Sequence, residues 1–383
     1  MGFTPSSNSV YKPRRPGAKR LFVLAAALFP VFLAACTQEP LFWYISLEYP
    51  PIDPIIGGSP TEIVKLGTTL YVANRTSLWE YDTTVVQQQW RETAKPPSSG
   101  YIKAIAVTPG SSPSALYVLD EGGTIHKFSS GWTSSPIPGA QQIYGADDEL
   151  FVGDGSAVYD YSSPTTPISG PGGLLRGAVK VGSDYYICTA RVRDNDDTGI
   201  FKISSGIVTK EYPSSGNSSI KGIIAAGTTT VVAVDDEGFI IYKDSLVTNF
   251  NNPISTGLRF SGGMARWEGG GGDKKILLGL QRGSGTFRYG YRELDLDTGG
   301  DVDASGIYTP GTTNGGARKT SISPDSRETS AIGKYPVTAL YVISGSNSGD
   351  GRPIIVASTQ KDGMWSYRTR RGVPQWNGED NSN

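Results

Sequence analysis

The stretch "SALYVLDEGGTIHKF", Ser114 to Phe128, decides the fold. Its first half, Ala115 to Asp120, is an apolar strand rich in residues that suit a pleated surface. Glu121, Gly122 and Gly123 then supply a tight turn. The second half, Thr124 to Phe128, is another strand and ends on an aromatic. The same design recurs as "TTLYVANRTSLWEYD" from Thr68, "DELFVGDGSAVYDY" from Asp148 and "DYYICTARVRDNDDTGIFKI" from Asp184. It continues as "TTVVAVDDEGFIIYK" from Thr229, "KKILLGLQRGSGTFRYG" from Lys274 and "PIIVASTQKDGMWSYR" from Pro353. The anchors of these seven copies are Leu70, Leu116, Leu150, Tyr185, Val231, Ile276 and Ile354. Their intervals are 46, 34, 35, 46, 45 and 78 residues. All but the last lie near the length of one four-stranded propeller blade, roughly 40 to 50 residues.

A further apolar strand precedes each copy: "EIVKLG", "IKAIAV", "QQIYGA", "GAVKVG", "IKGIIAAG", "GGMARW" and "VTALYVI". Small residues in these strands, such as Ala104, Gly145, Gly177 and Gly222, suit an innermost position at a crowded hub. Fourth strands are expected at "VVQQQW" ending at Trp90, at "GWTSSP" from Gly131 and at "VPQW" ending at Trp376. Four strands repeated seven times predict an all-β, seven-bladed β-propeller, in which each blade buries its faces against its neighbours. An eight-bladed ring is the alternative, with a degenerate blade inside the 299–335 excursion. We read that excursion as an outer strand followed by a long loop, a length unusual unless the loop is functional or disordered. The ring is expected over residues 59–376, with a disordered polar tail at 377–383.

At the other end of the chain, Arg14, Arg15, Lys19 and Arg20 precede an uncharged run from Leu21 to Ala35. A basic region, a short apolar run and small residues at its end make a secretory signal. The run spans 15 residues, whereas a spanning helix needs about 20. The residues "LAAC", Leu33 to Cys36, resemble the lipobox of bacterial lipoproteins. That resemblance implies cleavage of residues 1–35, a diacylglycerol thioether on Cys36 and acylation of the new amino terminus, giving a firm lipid anchor to the membrane. Residues 36–58 are then a tether between lipid and ring. Thr37, in place of an aspartate, points by the same analogy to the outer membrane.

Composition narrows the function. The chain has 383 residues with 35 basic and 36 acidic side chains, so no charge excess supports nucleic-acid binding. Gly at 49 and Tyr at 20 fit a turn-rich β protein. There are 2 cysteines, and with Cys36 acylated, Cys188 has no partner within the chain. Its setting, "DYYICTA", reads as a buried core strand. The single histidine, His126, sits on a predicted strand. A His/Cys zinc site fails on ligand count, and no Gly-x-Ser-x-Gly elbow accompanies a Ser-His-Asp triad.

Two acidic loops are candidates for calcium: "DNDDTG", with Asp194 and Asp196, and "DLDTGGDVD", with Asp295 and Asp297. Carboxylates at alternate positions before glycine resemble calcium loops, but Ser205 and Gly306 stand where the closing glutamate belongs. "LWEYDTTVVQQQW", Leu78 to Trp90, resembles one repeat of the quinoprotein-type propellers. That family includes quinone-dependent dehydrogenases and a lipoprotein of outer-membrane β-barrel assembly. No cofactor or catalytic residue carries over from so short a match. The aromatics on the repeat strands, Tyr81, Tyr117 and Trp365 among them, are expected to pack between blades.

These readings predict a non-catalytic binding scaffold, anchored to the membrane through Cys36, that engages a protein partner or an extracellular ligand. A periplasm-facing envelope-assembly subunit is the alternative. A carboxylate-based glycan hydrolase or lyase is the third, keyed to acids converging in the central channel.

Overall fold

The computed structural model describes residues 54–379, apart from 86–88, 98–99, 195, 214–219, 236–237, 244–245, 252–258, 270–273, 283–289, 297–301, 309–331, 333–334, 344, 346–352 and 371–372. Cys36, the leader and Asp297 lie outside the described residues. Among the described residues the chain forms seven four-stranded antiparallel sheets. They are β1–β4 (64–93), β5–β8 (102–136), β9–β12 (142–172), β13–β16 (174–213), β17–β20 (222–251), β21–β24 (259–308) and β25–β28 (337–378). Within each, the strands pair in sequence order.

The second strand of a blade is buried on both faces, which explains why it reads as a continuous apolar run. In β6 (Ala115–Asp120), all six residues are buried. Successive side chains alternate between faces, so Leu116 and Val118 pack on blade 1 while Tyr117 and Leu119 pack on blade 3. Ile276 and Leu278 in the sixth blade likewise face blade 5, and Leu277 faces blade 7. Each such residue contributes roughly 1.5–3 kcal/mol on burial.

Each junction between consecutive blades holds one such apolar cluster, and a further cluster joins the last blade to the first. There, Ala339, Ile354, Val356 and Met364 of blade 7 meet Leu70, Val72, Tyr81 and Trp90 of blade 1. Blades 6 and 7 also pack directly on each other, so among the described residues the ring is a closed, seven-bladed β-propeller; residues 309–331 of the excursion lie outside them. The long interval is explained by β24 (Val302–Tyr308), the outer strand of blade 6, before the excursion.

The seam carries a clip. Residues 55–58 run beside the last blade, with Ile55 N donating to Glu379 O at 2.7 Å and Met364 N donating to Ile56 O at 3.1 Å. Gly58 bridges Asp362 in parallel. Trp90 Nε1 donates to Glu379 Oε2 at 2.8 Å, and Ser366 and Arg368 also reach that carboxylate. The fold thus exceeds the expected 59–376 at both ends. Ile56 is fully buried, residues 377 and 378 belong to β28 (Val373–Gly378), and Glu379 is buried. A second correction concerns blade 1, whose fourth strand is β4 (Arg91–Thr93), just after Trp90 rather than ending on it. Trp90 instead turns inward against Tyr81, with ring centroids 5.2 Å apart.

Candidate functional site

The first strands of the blades surround the axis. Several carry a β-bulge near the start. In β13 (Leu174–Val181), Leu175 opposes Thr189 and Gly177 opposes Cys188, which leaves Arg176 as the extra residue. The same shift occurs at Lys103 in β5 (Ile102–Thr108) and at Thr338 in β25 (Val337–Ile343). At the start of blade 5, Lys221 N donates to Val234 O at 2.8 Å while Gly222 is already paired with Val234, again two residues against one. The sequence cause is an apolar pair three apart rather than two, both members facing the preceding blade. Examples are Ile102 and Ile105, Leu175 and Ala178, Ile220 and Ile223, and Val337 and Leu340. A bulge re-aims the extra side chain and often borders a site.

At this mouth of the channel, Glu62, Tyr144 and Arg176 come together. Glu62 precedes the first strand of blade 1, Tyr144 lies on β9 (Gln142–Ala146) of blade 3 and Arg176 on β13 of blade 4. Blades 1 and 3 are not neighbours, so the hydrogen-bonding contact between Glu62 and Tyr144 reaches past the first strand of blade 2. Burial pushes the Glu62 carboxyl above the usual carboxylate range, and its hydrogen bonds only partly offset this. Burial likewise raises the Tyr144 phenol, with Glu62 adding to the shift and Arg176 opposing it. Arg176 Nε is buried and has no hydrogen-bond partner among the described residues. The opposite mouth differs, because Lys180 there is neutralised by Asp148 at 2.7 Å and Asp147 at 3.4 Å. Sequence reading did not single out Glu62, Tyr144 or Arg176. The available signal was the three-residue apolar spacing that breaks the period-two pattern of a strand.

The histidine belongs to a second polar cluster. His126 is buried on β7 (Thr124–Phe128), with Nε2 3.1 Å from Asp120 Oδ2 and Nδ1 2.8 Å from Ser134 Oγ. Asp120 Oδ1 also accepts from Thr124 N at 2.9 Å. The chain of Asp, His and Ser therefore ties the second, third and fourth strands of blade 2 together and closes the Gly122–Gly123 turn. His126 is an ordinary strand residue in position and a pin in its bonding.

The acidic candidates are placed as follows. Asp196 Oδ2 accepts from Val192 N at 2.9 Å and from Arg193 N at 2.7 Å, so its carboxylate organises its own loop. The carbonyl of Asp194 accepts from Arg191, and Asp197 pairs with Lys210. Asp295 is buried on β23 (Tyr291–Leu296), with Lys275 Nζ 2.6 Å from its Oδ1 and 3.6 Å from Glu293 Oε2. Arg292, beside them in sequence, is lowered to about 10 by burial. Among the described residues, no three His, Cys, Asp or Glu side chains gather as metal ligands. Cys188 is fully buried and its thiol is pushed up by burial. The aromatics pack between blades as expected, with Tyr117 against Tyr161 at 5.3 Å and Tyr291 against Trp376 at 6.0 Å.

No protein-family model and no curated protein matches the chain in sequence. Solved propellers do match in shape. A chain of the mitotic checkpoint complex superposes with TM-score 0.53 at 11% identity, covering 81% of this chain and 89% of that one. The WD40 β-propeller domain of Doa1 gives 0.50 at 10% identity, covering 83% and 96%. The extracellular domain of a putative one-component system, BT4673 of B. thetaiotaomicron, gives 0.52 at 13% identity, covering 84% of this chain and 40% of that one. At such identities the likeness establishes the fold: this chain is a β-propeller.

Proposed function

We propose that the chain is a lipid-anchored envelope protein whose propeller serves as a binding scaffold, exposed at the cell surface. The observation that carries the binding half is the mouth of the channel. There, bulged first strands from separate blades bring an acid, a phenol and a guanidinium together on a rigid frame, an arrangement suited to holding a ligand. Similar propellers occur with protein partners, as in the structures of the mitotic checkpoint complex and of BBS1N with ARL6DN. The anchor half rests on the "LAAC" motif at Leu33–Cys36.

Protease shaving of intact cells tests the location, with a periplasmic lipoprotein as integrity control. Digestion of the propeller while the control survives is the expected result. Protection until the envelope is opened removes the surface reading. It favours the periplasm-facing assembly subunit to which the quinoprotein-like repeat at Leu78–Trp90 points. Cys36→Ser is expected to release the chain from the membrane fraction and to abolish labelling by a fatty-acid analogue.

A further inference from the structure

The junction between blades 3 and 4 is mostly apolar, with Phe151 of blade 3 against Leu175, Ile187 and Phe201 of blade 4. Its character changes near the mouth that holds Tyr144. There, Gln142 Oε1 on β9, Arg176 Nε on β13 and Thr189 Oγ1 on β14 (Asp184–Ala190) are buried and have no hydrogen-bond partner among the described residues.

Side-chain alternation along a strand sets which way each of them points. Tyr144 packs toward blade 4, so Gln142, two residues earlier on the same strand, shares that face. Ile187 packs toward blade 3, and Thr189, two residues later, shares its face. Thr189 stands opposite Leu175 in the register. A Cβ built on Gly153 would meet both Gln142 Oε1 and Leu175 Cβ at 2.8 Å, so the amide oxygen reaches across the gap to the Leu175–Thr189 pair. Arg176 is the extra residue of the bulge and follows Leu175 directly. Its charge is felt by Tyr144, two residues from Gln142, and by Cys188, next to Thr189.

The three atoms are complementary in type. The amide oxygen only accepts, the guanidinium Nε–H only donates, and the hydroxyl does either. Leaving such groups buried and unpaired is costly, and folded proteins commonly satisfy them with ordered water. An anion would be repelled by the amide oxygen and a cation by the guanidinium. A neutral molecule that both donates and accepts fits all three, and a buried water ordinarily makes about three hydrogen bonds. We propose that a water molecule is bound here as a fixed part of the ring, donating to Gln142, accepting from Arg176 and bonding the Thr189 hydroxyl. Apolar burial is non-directional. The bridge adds a directional tie between the blades that carry Tyr144 and Arg176. This inference goes beyond the binding-scaffold proposal and depends neither on Cys36 nor on a ligand at the mouth.

A crystal structure of the purified full-length chain, at a resolution that shows ordered solvent, tests the site directly. Density for a water within hydrogen-bond distance of at least two of the three atoms is expected. Direct bonds among the three atoms, or no density between them, overturn the proposal. Thr189→Val gives a test by sign. With the water in place, the substitution takes a partner from it, and the melting temperature is expected to fall by about 2 °C. A rise overturns the proposal, because a methyl would then have replaced a hydroxyl that was buried and unpaired. Neither outcome bears on the shaving result.

Discussion

Gly145 has no room for a side chain. A Cβ there would sit 1.8 Å from the carbonyl oxygen of Val107 on the neighbouring blade. Gly145→Ala is therefore expected to force the two inner strands apart and lower stability by about 1–3 kcal/mol or more, read as a shift in the urea midpoint. Glu62 offers a test by pH. Its carboxyl is raised in the folded ring above the ordinary value of 4.5. Over the interval between those values the folded state holds more protons than the unfolded chain, so stability falls as pH rises through it. Glu62→Gln should flatten that slope in a series of denaturation midpoints above pH 4.5. At Lys275 the logic is ionic. It is fully buried beside Glu293 and Asp295. Lys275→Met is expected to cost about 3–5 kcal/mol, since it removes a cation from between two buried carboxylates.

At the scale of the strand, blade 2 shows how polar groups fix an element that apolar packing alone leaves free to slide. Its second strand is held on both faces, whereas β8 (Trp132–Pro136) is largely exposed. The bond from Ser134 to His126 and from His126 to Asp120 gives that outer strand its register. Asp120→Ala should lower stability by about 1–3 kcal/mol, because it orphans a buried imidazole, and should speed hydrogen exchange at the Thr124 amide. The second strands were legible in the sequence because burial on both faces writes an unbroken apolar run. The outer strand of blade 1 was misplaced for the opposite reason. "RET" is polar, and the nearby apolar side chain, Trp90, serves the seam rather than β4. The channel site escaped notice because Arg176 and Lys103 look like solvent-facing members of a strand until the bulge is counted. His126 was placed on its strand, yet its partners, six and eight residues away, depend on pairing that no local pattern reveals.

Over the whole molecule, the repeat intervals announced a ring of blades, and the packing closes it. What the repeats did not disclose was how the ends meet. Glu379 is joined to Trp90 and, through the backbone, to Ile55. A double-mutant cycle of Trp90→Phe and Glu379→Gln should give a coupling of about 1–3 kcal/mol in urea unfolding. Additive losses would show that the apolar cluster alone closes the ring.

The clip also sets a schedule. A ribosome releases blade 1 first, with one flank lacking its partner, and each later blade covers the flank of the one before. That first flank stays bare through six blades. It is covered only when Met364 and Glu379 arrive to meet Ile56 and Trp90. A chain stopped short of residue 364 keeps an open row of sheets with apolar side chains at both ends, a surface on which a second unfinished chain can dock.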